Sequence, residues 1–162
     1  MRRFLIVPLL VLLKFTFFSF FGSFWFLFDP LLALVVIYTF FHSMDMRDYL
    51  SYALFCGLWQ DIFSLDLFGI HMFSYLVCGF SVAVASRIIY RHNQIFIFPM
   101  VFAAVLLNNS LIFFLKILLP GAMPASFSGL FLWRCFLEAA GTTMLAYPFY
   151  LFLQKCVSGF TG

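Results

Sequence analysis

Arg134 and Glu138 stand four residues apart in an apolar run, a spacing that puts a cation and an anion on one helix face. Lys14 interrupts a second such run, Asp61 a third, and the pair Asn108-Asn109 a fourth. Charges inside hydrophobic segments cost about 2.5–3.5 kcal/mol each on insertion scales, which marks them as functional suspects. Lys14, Asn108, Asn109, Arg134 and Glu138 therefore form a candidate embedded polar cluster. One chemistry open to it is pairing: Glu138 neutralised by Arg134 and bonded across helices to Lys14, with Gly141 letting the neighbour approach. The other is a ligand or proton site. Pairing is preferred, because polar side chains are common glue between membrane helices.

Ala53, Gly57 and Asp61 also repeat at four residues, giving a small-residue groove that ends in a carboxylate. Gly79 and Ala83 repeat the spacing one segment later. Small residues at this interval let backbones approach closely, so helix packing or a partner interface is predicted ahead of a substrate groove. Asp61, Asp66 and His71 raise the question of a metal. Asp61 and His71 fall on different predicted helices, with no further His or Cys nearby in sequence, and no metal site is predicted.

Cys56, Cys78, Cys135 and Cys156 show no Cys-x-x-Cys spacing and read as small buried apolar residues. Asn108-Asn109-Ser110 fits the glycosylation pattern but sits inside an apolar segment. No Walker glycine loop, His-Glu-x-x-His or Gly-x-Ser-x-Gly occurs, so no catalytic residue, enzyme activity or cofactor is predicted. The basic residues are scattered singly, which argues against nucleic acid.

The elements that carry these residues follow from composition. Of 162 residues 65% are hydrophobic and 9% charged, against about 45–50% apolar and about 25% charged in soluble domains. Fifteen charged side chains cannot clothe a soluble surface of this size, and the hydrophobicity excludes disorder. Continuous apolar runs, rather than short alternating ones, exclude a β-barrel. The predicted fold is an all-α integral membrane protein, one domain over residues 1–162 with about six transmembrane helices. They span roughly residues 4–21, 30–43, 49–63, 69–90, 95–118 and 130–153.

The first run imitates a signal peptide, but Lys14 interrupts it and no small-x-small cleavage site follows, so it is read as a retained helix. Asp29-Pro30 has the form of an N-cap with proline at the first helical position. Met44 to Asp48 reads as a polar turn, and Arg91-His92-Asn93 as a loop. With both ends on one side, that side holds Arg2, Arg3, Arg47, Arg87, Arg91 and Lys155, and the other only Lys116. The positive-inside rule then puts both termini in the cytoplasm. The alternative to six spans is five plus a re-entrant turn at the short second segment.

One stretch carries a family likeness. Asp29-Pro30-Leu31-Leu32-Ala33-Leu34 opens a helix, and Gly57-Leu58-Trp59-Gln60-Asp61-Ile62-Phe63 closes the next. Leu67-Phe68-Gly69-Ile70 follows, then Tyr75-Leu76-Val77-Cys78-Gly79-Phe80. This pattern resembles the rod shape-determining MreD family over about Asp29 to Tyr90, with the order of the aspartate and proline at the helix start reversed. The spacing from Gly57 through Asp61 to Gly69 and Gly79 carries most of the likeness. The resemblance implies a non-catalytic scaffold in the bacterial cytoplasmic membrane, within the cell-elongation machinery that organises lateral peptidoglycan synthesis. It implies as partners an MreC-like bitopic protein and, indirectly, MreB-like actin and the RodA and transpeptidase wall synthases. In size and six-helix plan the chain also resembles the substrate-binding subunits of energy-coupling-factor vitamin transporters, the alternative function. Those subunits dock through small residues on their first helix, whereas residues 4–21 carry bulky Phe and Leu around Lys14.

Overall fold

A computed structural model of the chain describes residues 28–41, 46–64, 67–88, 96–118 and 129–158. The predicted helix over 4–21 with Lys14, the turn residue Asp66 and the Arg91-His92-Asn93 loop lie outside them. Five helices are described: α1 (Pro30–Phe41), α2 (Met46–Phe63), α3 (Ile70–Ile88), α4 (Ile97–Leu118) and α5 (Gly129–Ser158).

α1 starts where Asp29 caps it. Asp29 Oδ1 accepts the Leu32 N–H at 3.3 Å, and Pro30 takes the first position, where its missing N–H costs nothing. The helix is apolar on every side, and Leu31 through Ile37 are at most 1% exposed. A helix hydrophobic all round belongs in the interior, and α1 touches each of the other four. Its twelve residues rise about 18 Å, short of a hydrocarbon core of about 30 Å.

α2, α3, α4 and α5 pack in that order as an arc around α1, and among the described residues α2 and α5 do not meet. α3 and α4 are each long and apolar enough to cross a membrane. Tyr38 of α1 stacks on Tyr52 of α2 at 4.2 Å between ring centroids, and Phe102 of α4 meets Phe136 of α5 edge-on at 5.7 Å. The outer faces carry exposed Phe73, Phe80, Phe114, Trp133 and Met144.

Two boundaries differ from expectation by more than two residues. Met46, Arg47 and Asp48, predicted within a turn, form the first turn of α2. Asp48 there faces the positive end of the helix dipole, and Ser51 Oγ donates to the Arg47 carbonyl at 2.7 Å. α5 continues past residue 153 to Ser158, through Gln154 and Lys155, both good helix formers. It also runs through Pro148, which removes the donor for the Met144 carbonyl; membrane helices tolerate such prolines.

Candidate functional site

The first turn of any helix leaves its amide N–H groups without partners in its own ladder. α3 has no side chain of its own in the cap position, because Gly69 precedes it. Asp61, two residues before the end of α2, supplies the acceptor instead. Its Oδ1 accepts the His71 N–H at 3.0 Å, and its Oδ2 accepts the Gly69 and Met72 N–H groups at 3.0 Å each. The carboxylate is 3% exposed and lies at the positive end of the α3 dipole, where a negative charge is stabilised.

One turn earlier, Gly57 lets the two helices close up. A Cβ there would stand 2.5 Å from Met72 Cα and 2.9 Å from Met72 N, so backbone meets backbone. Gly69 completes the junction with φ +98°, a left-handed conformation that a side chain would strain. The chain turns there, and the Gly69 carbonyl accepts the Phe73 N–H at 3.0 Å. Gly57, Asp61 and Gly69 thus act as one clamp: a gap, a cap and a turn.

The rest of the small-residue set sits further along the same helix pair. Ala53 and Ala83 are buried. A Cβ on Gly79 would lie 3.4 Å from Ala53 Cβ and 3.8 Å from both Thr39 Oγ1 and Val35 Cγ1, so α1, α2 and α3 meet at this point. The spacing makes Gly57 and Gly79 look equivalent, but only Gly57 abuts backbone. Thr39 Oγ1 is buried there without a hydrogen-bond partner.

The predicted polar cluster divides. Asn108 is buried and its Oδ1 accepts the Ser74 hydroxyl at 2.7 Å, joining α4 to α3. Asn109 Nδ2 donates to Glu138 Oε2 at 3.0 Å, joining α4 to α5. Consecutive helical residues point about 100° apart, which sends the two asparagines to different neighbours. Arg134 is exposed on α5, and Lys14 lies outside the described residues.

A second buried carboxylate was identified in the sequence only as a cap. Asp29, 6% exposed, accepts the Tyr75 phenol at 2.7 Å on Oδ2, and its own N–H donates to Thr142 Oγ1 at 3.0 Å. It ties α1 to α3 and α5. Tyr75 enters the sequence reading only through the family likeness and Thr142 not at all, since each lies in a mostly apolar run. His71 is buried against Tyr75, with ring centroids 6.5 Å apart. Among the described residues no three His, Cys, Asp or Glu side chains come together. Cys56, Cys78 and Cys135 are buried free thiols.

The family model described as rod shape-determining protein MreD matches residues 1–156. The chain belongs to the MreD family. No curated protein and no solved structure matches it. MreD is a membrane family with a role in rod shape determination, part of the shape system it forms with MreB and MreC. Within this MreD chain, three of the four residues whose spacing carried most of the resemblance, Gly57, Asp61 and Gly69, are those of the clamp, and the fourth, Gly79, lies further along the same helix pair.

Proposed function

We propose that this MreD-family chain is a non-catalytic, multi-pass scaffold of the cell-elongation complex in the bacterial cytoplasmic membrane. It crosses the membrane about six times in one domain, residues 4–21 forming the first crossing, with both termini in the cytoplasm. It offers helix surfaces to an MreC-like bitopic protein, and through it to MreB-like actin and the RodA and transpeptidase wall synthases.

One observation carries this reading: among the described residues, the polar side chains of four interior sites bond from one helix to another. Asp61 holds the start of α3, Asp29 holds Tyr75 and Thr142, Asn108 holds Ser74, and Asn109 holds Glu138. Such a bundle is fastened from within and apolar without, which suits a scaffold whose contacts are made inside the lipid. The deciding experiment is co-purification in mild detergent, joined to depletion in rod-shaped cells. Wall-synthesis proteins in the eluate and rounded cells are expected. Recovery of ATPase subunits, or of a vitamin-like molecule that is lost on Asp61→Leu, overturns the scaffold reading in favour of a transporter subunit.

A further inference from the structure

Between α3 and α4 runs a laterally open groove of about 240 Å³, lined by Cys78, Ser81 and Ala85 from one helix and Met100, Ala103 and Leu107 from the other. On each helix these residues recur at three and four, so each side of the groove is a single face. We propose that the groove seats one acyl chain of a membrane phospholipid, drawn from the leaflet in which α3 ends and α4 begins. The proposal rests on α3 and α4 being membrane spans.

Depth is the first argument. Residues 78–85 reach from the middle of Ile70–Ile88 toward its end, and residues 100–107 from the start of Ile97–Leu118 to its middle. Successive helices packed side by side put both stretches in the same half of the bilayer, from its midplane outward by about 10 Å. Only hydrocarbon reaches that depth from the side.

Chemistry is the second. The lining has two side-chain polar atoms, and both are spent internally. Ser81 Oγ donates to the Val77 carbonyl at 2.8 Å, and Cys78 Sγ to the Ala104 carbonyl at 3.6 Å. No side-chain donor is left for a headgroup or for water and the rest of the lining is apolar, so the occupant is apolar.

Size is the third. Seven residues of helix give the groove a length of about 10 Å. A volume of about 240 Å³ over that length leaves room for one polymethylene chain, whose carbons make contact at about 4 Å. A partner helix, about 10–12 Å across with its side chains, is too wide to lie in it.

The test uses the full chain in native membranes and in nanodiscs, with a phospholipid carrying a diazirine midway along one acyl chain. After irradiation, the labelled positions are mapped by peptide mass spectrometry. Label concentrated on the groove residues Cys78, Ser81, Ala85, Met100, Ala103 and Leu107, above that on Phe80 and Phe114 of the outer faces, is expected. It should fall to the outer-face level in Ala103→Trp, which fills the groove from its exposed edge, and in the milder Ala85→Leu. Phe80→Ala should leave it unchanged. Label spread evenly over α3 and α4, or unmoved by both filling variants, overturns the groove proposal while leaving the spans intact. Label on neither helix overturns the spans themselves. Label present at these positions in nanodiscs but absent from them in native membranes identifies a partner side chain as the occupant and also overturns it.

Discussion

Asp61→Leu removes both oxygens that hold the start of α3 and leaves the amides of Gly69, His71 and Met72 without their acceptor. A buried donor deprived of its partner costs about 1–3 kcal/mol, so three set a ceiling of about 3–9 kcal/mol. Neighbouring bonds are not additive, and a helix end near the membrane surface recovers some water. A loss of about 3–5 kcal/mol is expected on those grounds. Asp61→Asn separates the causes. Its remaining oxygen can keep the Gly69 and Met72 bonds, while its amide group turns a donor toward the His71 N–H. That variant should lose about half as much, roughly 1–3 kcal/mol. Reversible unfolding in mixed micelles gives the free energies. Hydrogen exchange at residues 69–72 gives the location, with faster exchange confined to those amides in Asp61→Asn. The clamp is refuted if Asp61→Leu costs less than about 0.5 kcal/mol, the range of an ordinary surface change, or if Asn is as damaging as Leu.

Gly57→Ala and Gly79→Ala should part company in the same unfolding assay. The first forces a methyl group to 2.5 Å from Met72 Cα and should cost at least about 1–3 kcal/mol. The second meets ordinary contacts at 3.4 Å or more and should be close to neutral. Tyr75→Phe takes the phenol from Asp29 and should cost about 1.5–3 kcal/mol; a double-mutant cycle with Asp29→Asn should return a coupling energy instead of additivity. Thr39→Val exchanges a buried hydroxyl without a partner for a methyl of similar shape, and unfolding should find it neutral or stabilising.

The helices were legible because apolar runs of the right length leave few other folds, and each described helix overlaps a predicted segment. Their ends were less so. Met46 to Asp48 looked like a turn because three polar or charged residues in five outweighed, in sequence, the fit of Asp48 to a helix start. At the clamp, the spacing from Gly57 to Asp61 pointed to close packing, but the partner of Asp61 is a set of backbone amides, which no residue letter reports. The polar cluster was grouped only by its place inside apolar runs. Helical geometry already separates Asn108 from Asn109 by direction, yet which helix lies in each direction is set by the arc of packing, not by the local sequence. Asp29 was legible as a cap, whereas its ties to Tyr75 and Thr142, 46 and 113 residues away, were not.

Interior polarity and exterior hydrophobicity then predict two different kinds of damage. Asp61, Asp29, Asn108 and Asn109 spend their polar atoms on neighbouring helices, so changing them weakens the bundle as a whole. Every partner should be lost together, in step with the amount of folded protein. On α5, Trp133, Ala140, Met144 and Tyr147 follow at intervals of seven, four and three along an exposed face. Lipid tails are as apolar as these side chains, so a partner helix gains there only by fit, and shape is what a substitution alters. Met144, 82% exposed, can become Trp without touching the core. Met144→Trp should therefore leave unfolding free energy unchanged, within about 0.5 kcal/mol, while reducing recovery of the partner that packs on this face and sparing the others. Quantitative co-purification beside unfolding measurements reads both effects. Loss of one partner in Asp61→Leu at an undiminished level of folded protein would put the carboxylate in an interface and reverse this division.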